Sequence, residues 1–134
     1  MPHCVILYTP NIEGKTDVSA LCRKLADSML TVLDEGGKQV FPTGGTRVLA
    51  YPATHYAVAD GKGDYAFMYV NVRMGAGRSE AVKKMAGDQL MDVVKKHCAP
   101  FFDQSLIGIT LQIDESPGQV YDGKHSTLHP LFNK

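Results

Sequence analysis

The chain has 134 residues and a formal net charge of zero at pH 7, with 14 Lys and Arg against 14 Asp and Glu, and 44% of its residues are hydrophobic. One typical domain spans about 100–150 residues, so we expect a single domain over 1–134; the cancelling charge disfavours nucleic acid or an anionic membrane as partner. No apolar run approaches the roughly 18 residues of a membrane span and no signal pattern opens the chain, which favours a soluble, cytoplasmic protein.

The first half of the chain is predicted to form a strand, a helix and a second strand. Residues 3–8 are a short apolar run rich in strand-forming residues, and turn residues follow it directly. From Thr16 the apolar residues take helical spacing, and we expect this helix to end at the glycine pair 36–37. Residues 46–51 then form the second predicted strand, which a proline ends.

The second half repeats this order. Residues 64–73 alternate in side-chain character, which predicts a strand with Ala66, Met68, Val70 and Val72 on one face. A helix follows Gly77, and Pro100 is expected to end it. Residues 105–115 form another predicted strand, and a polar tail completes the chain.

The doubled strand-helix-strand order predicts an α+β fold with a mixed four-stranded sheet and two helices. The first unit covers about 2–60, the second about 64–115, and the tail 116–134. Such a sheet has one face under the helices and one open face. The sequence does not decide which side of each strand lies under the helices. An open apolar face predicts oligomerisation.

Pro2 is the first candidate for chemistry. Methionine before a small residue is normally removed, which would leave the secondary amine of Pro2 as the terminus. A terminal amine has a pKa of about 7.7–8.0, and desolvation or a nearby cation lowers it, which favours the neutral base at pH 7. Pro2 is therefore a candidate general base, although many proteins open with Met-Pro without any such role.

Two of the four arginines are candidates for binding an anion. Arg78 follows a Gly-Ala-Gly turn at a predicted helix start, where backbone N–H groups already favour anions, and Arg47 follows a glycine pair at a strand start. Either guanidinium is equally compatible with a solvated surface position. Arg23 and Arg73 are expected at the surface.

The histidines and cysteines do not indicate a metal site or a disulfide. His125 and His129 have helical spacing, but no third ligand is spaced near them, which favours a surface or interface role. Three cysteines without a C-x-x-C pair indicate neither a disulfide framework nor a zinc knuckle.

Short blocks along nearly the whole chain resemble the 5-carboxymethyl-2-hydroxymuconate isomerases of the tautomerase superfamily. These blocks are Met1-Pro2-His3, Asn11-Ile12, Phe41-Pro42, Gly45-Thr46-Arg47, Ala59-Asp60-Gly61, Asp64-Tyr65-Ala66-Phe67, Gly75-Ala76-Gly77-Arg78-Ser79 and the tail His129-Pro130-Leu131-Phe132. The sequence departs from the family at Leu7, where relatives often have glutamate, and in an apparent insertion at 36–40.

The resemblance implies a homotrimer that uses no metal or organic cofactor. It makes Pro2 the catalytic base, and Arg47 and Arg78 the residues that bind carboxylates and polarise the 2-hydroxy/2-oxo group of a polycarboxylate dienol. The implied reaction moves a proton across a 2-hydroxydienoate to give an unsaturated 2-oxo acid in homoprotocatechuate catabolism. Such a relocation needs one base that returns its proton, and cations that offset the dienolate charge.

Two other hypotheses remain open at this level. One is a general keto–enol tautomerase or a hydratase of the same superfamily, which would also use a free Pro2. The other is a trimeric binding module that keeps the fold without catalysis.

Overall fold

The computed structural model describes residues 3–132. The strands are β1 (His3–Tyr8), β2 (Val48–Pro52), β3 (Tyr65–Gly75) and β4 (Leu106–Ser116). The helices are α1 (Val18–Leu30), α2 (Glu80–Phe102) and a short α3 (His129–Phe132), with 3₁₀ turns at Pro10–Ile12 and Thr43–Gly45.

The four strands form one mixed sheet in the order β2-β1-β3-β4. β1 is parallel to β2, β3 is parallel to β4, and the antiparallel pair β1–β3 joins the two β-α-β units in the centre. Parallel neighbours need a crossover connection, which α1 and α2 provide. The predicted mixed four-stranded sheet with two main helices is confirmed.

The hydrophobic core lies between one face of the sheet and the two long helices. Met68, Val70 and Val72 of β3 are fully buried there, as are Leu25 of α1 and Leu90 of α2. The opposite face has no covering element among residues 3–132. Large apolar side chains that this face exposes are Leu7, Leu49, Tyr51, Phe67 and Leu106.

The prediction that α1 extends to the glycine pair was wrong. Asp17 caps the helix start by accepting a hydrogen bond from the Ala20 N–H, and the helix ends at Leu30. Val32 is still buried, but it reaches the core from a hairpin closed by a bridge between Leu33 and Gln39. The helical spacing of the apolar residues therefore continued past the end of the helix.

The prediction that Pro100 ends α2 was also wrong, because the helix continues to Phe102. A proline removes one backbone N–H from the helix and is costly in its middle, but here it stands in the last turn. Phe101 beyond it is buried in the core, which favours completing that turn.

A long loop, residues 31–47, connects α1 to β2 and covers one end of the sheet. Its hairpin is held by the Val40 N–H, which donates to the Val32 carbonyl at 2.9 Å, and by Asp34, whose carboxylate accepts from two backbone N–H groups. Val40 and Phe41 are buried in the core. The 31–47 loop is therefore a packed part of the fold.

None of the helices in the described range 3–132 is both long enough and apolar enough to cross a bilayer.

Candidate active site

The candidate residues gather at the end of the sheet where β1 begins. Pro2 itself lies outside the described residues. Its neighbour His3 starts β1 and pairs with Arg73 near the end of β3. The next residue, Cys4, donates its backbone N–H to the carbonyl of Arg47 at 2.9 Å. The start of β1, the approach to β2 and the end of β3 therefore share one edge of the molecule.

Arg78 stands between β3 and α2, at the same edge. Gly77 before it has φ of 110°, a left-handed conformation that glycine adopts without strain, and Ser79 after it caps α2 by accepting from the Val82 N–H. The guanidinium donates to the Val40 carbonyl at 2.9 Å and, more weakly, to the Gly75 carbonyl at 3.5 Å. Within the described part of the chain it forms no ion pair.

The 31–47 loop is fastened to the start of α2 by a second contact. The Ser79 hydroxyl donates to Glu35 at 2.7 Å, while Gln39 donates from one amide nitrogen to the Phe41 carbonyl at 2.7 Å and to the Thr43 hydroxyl at 3.1 Å. Arg78 lines a cavity of about 340 Å³ between this loop and α2. The apparent insertion at 36–40 thus forms one wall beside Arg78.

Arg47 lines a different cavity, of about 550 Å³, between α1, the start of β2 and the tail. Its guanidinium donates to the Gly45 carbonyl at 3.2 Å, and it too lacks a carboxylate partner in the range 3–132. Arg23 lines the same cavity but forms an ion pair with Asp27 at 2.7 Å. Burial raises the pKa of the Cys22 thiol beside them, so that group stays neutral.

The structure brings Arg47 and Arg78 to one end of the sheet but not into one cavity. Both guanidiniums donate to backbone carbonyls and form no ion pair within residues 3–132, although Asp34 and Glu35 also line the Arg78 cavity. Leu7 lies on the open face of the sheet, away from both cavities. Its effect on a site would therefore come from that face.

The sequence did not predict that the C-terminal tail lines the Arg47 cavity. Leu128 and Phe132 line the Arg47 cavity, and α3 packs on the turn at Thr43–Gly45. The available signal was the apolar pair at 131–132 after Ser126, whose hydroxyl accepts hydrogen bonds from the N–H groups of Leu128 and His129.

The remaining polar candidates have structural partners. His97 contacts the Lys24 amine at 3.1 Å and the Asp17 carbonyl at 3.0 Å, and His129 contacts the Ser126 hydroxyl at 2.7 Å. Across residues 3–132, no three His, Cys, Asp or Glu side chains converge as a metal-binding set.

Comparison with known proteins identifies the family. The model of a family described as 5-carboxymethyl-2-hydroxymuconate isomerase matches residues 2–132. The chain belongs to the 5-carboxymethyl-2-hydroxymuconate isomerase family. The match includes Pro2, Arg47 and Arg78, so all three candidates fall inside the family region.

Individual relatives agree with this assignment. A 5-carboxymethyl-2-hydroxymuconate Delta-isomerase of Escherichia coli is 27% identical over 132 residues, which is 98% of this chain and 99% of the relative. A crystal structure of a 5-carboxymethyl-2-hydroxymuconate delta-isomerase is 53% identical, covers 100% of this chain and 94% of its own, and superposes with a TM-score of 0.94. A 5-carboxymethyl-2-hydroxymuconate isomerase from Deinococcus radiodurans R1 is 33% identical, with 99% and 95% coverage and a TM-score of 0.84.

The expected family, its fold and an isomerase activity are therefore confirmed. The protein is an isomerase of the tautomerase superfamily. The roles of Pro2, Arg47 and Arg78 and the trimeric assembly remain predictions.

Proposed function

We propose that this isomerase converts 5-carboxymethyl-2-hydroxymuconate, a tricarboxylate dienol, into the unsaturated 2-oxo acid, with Pro2 as the base. The neutral secondary amine of Pro2 takes the proton of the 2-hydroxyl group and returns it to a carbon at the far end of the conjugated system. No atom is gained or lost in the sum. A single group serves as base and then as acid, which requires a pKa near the working pH.

The observation that carries this proposal is the pair of guanidiniums without carboxylate partners in residues 3–132. Arg47 and Arg78 flank the start of β1, to which Pro2 is joined through His3. Two cations at this edge suit a substrate with several carboxylates and a dienolate charge that develops during the reaction. They also lower the pKa of a nearby amine, which favours the neutral form of Pro2.

We further propose that the active enzyme is a homotrimer. Two observations support a multi-subunit site: Arg47 and Arg78 line separate cavities in one chain, and the sheet exposes an apolar face that a second copy would cover. A chain of this length has no cleft between domains, so a subunit interface is the natural wall for a substrate site.

We place the reaction in the cytoplasm, within homoprotocatechuate catabolism. The cysteines Cys4, Cys22 and Cys98 are free thiols, which fits a reducing compartment.

An ultraviolet assay tests the proposed reaction. Purified protein with its initiator methionine removed, as verified by intact mass, should abolish the dienol absorbance of 5-carboxymethyl-2-hydroxymuconate as product forms. Alkylation of the terminal amine should stop this turnover. Full activity after alkylation, or in protein that retains Met1, would exclude Pro2 as the base.

The same preparation tests the assembly and the alternatives. Sedimentation velocity should give the mass of three chains, and a monomer with full activity would overturn the trimer. Water addition to the substrate, detected by mass, would instead favour the hydratase hypothesis, and no turnover of any 2-hydroxydienoate would favour a binding module.

A further inference from the structure

The C-terminal helix α3 forms one wall of the Arg47 cavity. Leu128, just before the helix, and Phe132, its last residue, line this cavity together with Arg47 and Thr46. Both apolar side chains are about half exposed, at 53% and 50%, so each retains surface that a ligand in the cavity can contact.

The position of α3 is set by a close contact at a glycine. A Cβ atom on Gly44 would lie 3.2 Å from the Cα of His129 and 3.6 Å from the Phe132 ring, so a larger residue at this position would push α3 away by a few tenths of an ångström. The preceding segment, residues 117–125, is exposed along its whole length. Among the elements of the fold, the turn at Thr43–Gly45 is the main contact of α3.

The cavity combines two kinds of surface. Arg47 supplies a cation without a carboxylate partner in the described chain, and the side chains of Leu30, Val48, Leu128 and Phe132 supply apolar surface. Such a combination suits an organic acid whose hydrocarbon part lies beside its carboxylate. A small inorganic anion would leave the apolar wall without a contact.

We infer that α3 is a specificity-determining wall, which packs on the carboxymethyl branch of the substrate while Arg47 binds the carboxylate of that branch. This inference rests on the proposed function, because it takes Arg47 as a substrate-binding residue. It assigns the tail a role in choosing between 5-carboxymethyl-2-hydroxymuconate and the unbranched 2-hydroxymuconate. One methylene group in an apolar pocket changes discrimination by roughly 10–200-fold, so a partly open wall has a measurable effect.

Two pairs of variants test the wall. Phe132→Ala removes the ring from the cavity, and its matched control Leu131→Ala truncates a neighbouring α3 residue that does not line it. Gly44→Ala shifts α3 by a few tenths of an ångström, and its control Gly14→Ala places the new methyl group in open space.

The readout is the ratio of kcat/KM for the branched over the unbranched substrate. This ratio should fall about 5–20-fold in Phe132→Ala and about threefold in Gly44→Ala. In both variants the fall should come mainly from a higher KM for the branched acid. The two controls should keep the wild-type ratio. An unchanged ratio in Phe132→Ala and Gly44→Ala, with thermal stability alone affected, would overturn the inference.

A binding measurement separates this inference from the proposed reaction. Calorimetry with tricarballylate, an unreactive tricarboxylate, should show weaker binding in Phe132→Ala and Gly44→Ala than in wild type or the controls. If tricarballylate binds more tightly to wild type and the controls than to these two variants, but wild type fails to isomerise the dienol, the proposed reaction is wrong and the role of α3 as a wall is retained. If tricarballylate binds equally to all variants, or to none, the wall is wrong.

Discussion

The two β-α-β units of this isomerase share a topology but differ in length and in what their residues do. In the second unit, β3 and β4 pair over 11 residues each and α2 has 23 residues. In the first, β1 has 6 residues, β2 has 5 and α1 has 13, and the 31–47 loop takes up much of the rest. The longer unit supplies most of the sheet, whereas the shorter one supplies Arg47 and the wall beside Arg78.

Two units of the same topology can therefore differ in which of them forms the candidate site. The long regular elements bury a continuous apolar surface, so substitutions there act mainly on stability. The short elements leave backbone free to form the loop that carries Val40 to Arg78. Changes in the first unit should therefore affect turnover more than changes in the second.

The largest effect is expected at the start of the first unit, in Pro2→Ala. This substitution replaces the secondary amine by a primary amine of different basicity and geometry, and kcat should fall by about 100-fold or more, as for loss of a general base. The melting temperature should change little. Steady-state kinetics on protein of verified N-terminal mass gives the answer, and undiminished turnover would remove Pro2 from the mechanism.

A matched pair of core truncations compares the units directly. Phe41 in the 31–47 loop and Leu90 in α2 are both fully buried. Replacement by alanine should lower the free energy of unfolding by about 3–5 kcal/mol at Phe41 and about 2–5 kcal/mol at Leu90, measured by denaturant titration. Only Phe41→Ala should also lower kcat/KM of the folded enzyme, by about tenfold, because the adjacent Val40 carbonyl holds Arg78.

Equal losses of kcat/KM in these two variants would contradict the division between a structural unit and a site-forming unit. Activity is best compared at a temperature where both variants remain folded, as judged by circular dichroism.

Arg78 belongs to the second unit but contacts the 31–47 loop of the first. It is therefore the position in the second unit where we expect a substitution to lower turnover. Arg78→Ala should lower kcat/KM by about 10–100-fold for 2-hydroxymuconate, which has two carboxylates, and by less for 2-hydroxypenta-2,4-dienoate, which has one. The conservative Arg78→Lys keeps the charge and should recover part of the loss. Equal losses for the two substrates would contradict a contact between Arg78 and the second carboxylate.

The smallest effect is expected at His97, where α2 meets the start of α1. Burial, and then the Lys24 charge, lower the pKa of His97 in the folded state. The unfolded state therefore binds more protons, so the free energy of unfolding rises with pH. This contribution is lost as the pH falls below the ordinary histidine pKa of about 6.5.

Between pH 7 and pH 5, the melting temperature of wild type should therefore fall by a few degrees more than that of His97→Gln. Thermal melts across this range are the measurement. The same pH dependence in both proteins would assign it to other groups.

The sequence was sufficient for the sheet because each strand has a clear pattern of its own. The alternation of β3 predicted which residues share a face, but which face is buried depends on where the crossovers lie, and that is a tertiary property. The end of α1 was misjudged for a related reason: Val32 is buried whether the chain is helical or in a hairpin.

Candidate site residues could be selected from the sequence, but their arrangement could not. Glycine-flanked arginines at element starts indicated Arg47 and Arg78, yet their partners are the carbonyls of Gly45 and Val40. A carbonyl partner leaves no trace in sequence, since every residue has one. The packing of α3 against Gly44 could not be predicted either, because it depends on a contact between residues far apart in the chain.

The use of main-chain carbonyls to hold both guanidiniums also bears on how the enzyme can change over evolution. A substitution at Gly45 adds a side chain and one at Val40 exchanges it, but each keeps the main-chain oxygen that accepts from the arginine. The restraint therefore falls on the path of the backbone, and the surrounding sequence can drift as long as that path is kept. The side chains at the hairpin tip, residues 34–38, do not hold either guanidinium, so they can change substrate contacts beside Arg78 while both carbonyl contacts are kept.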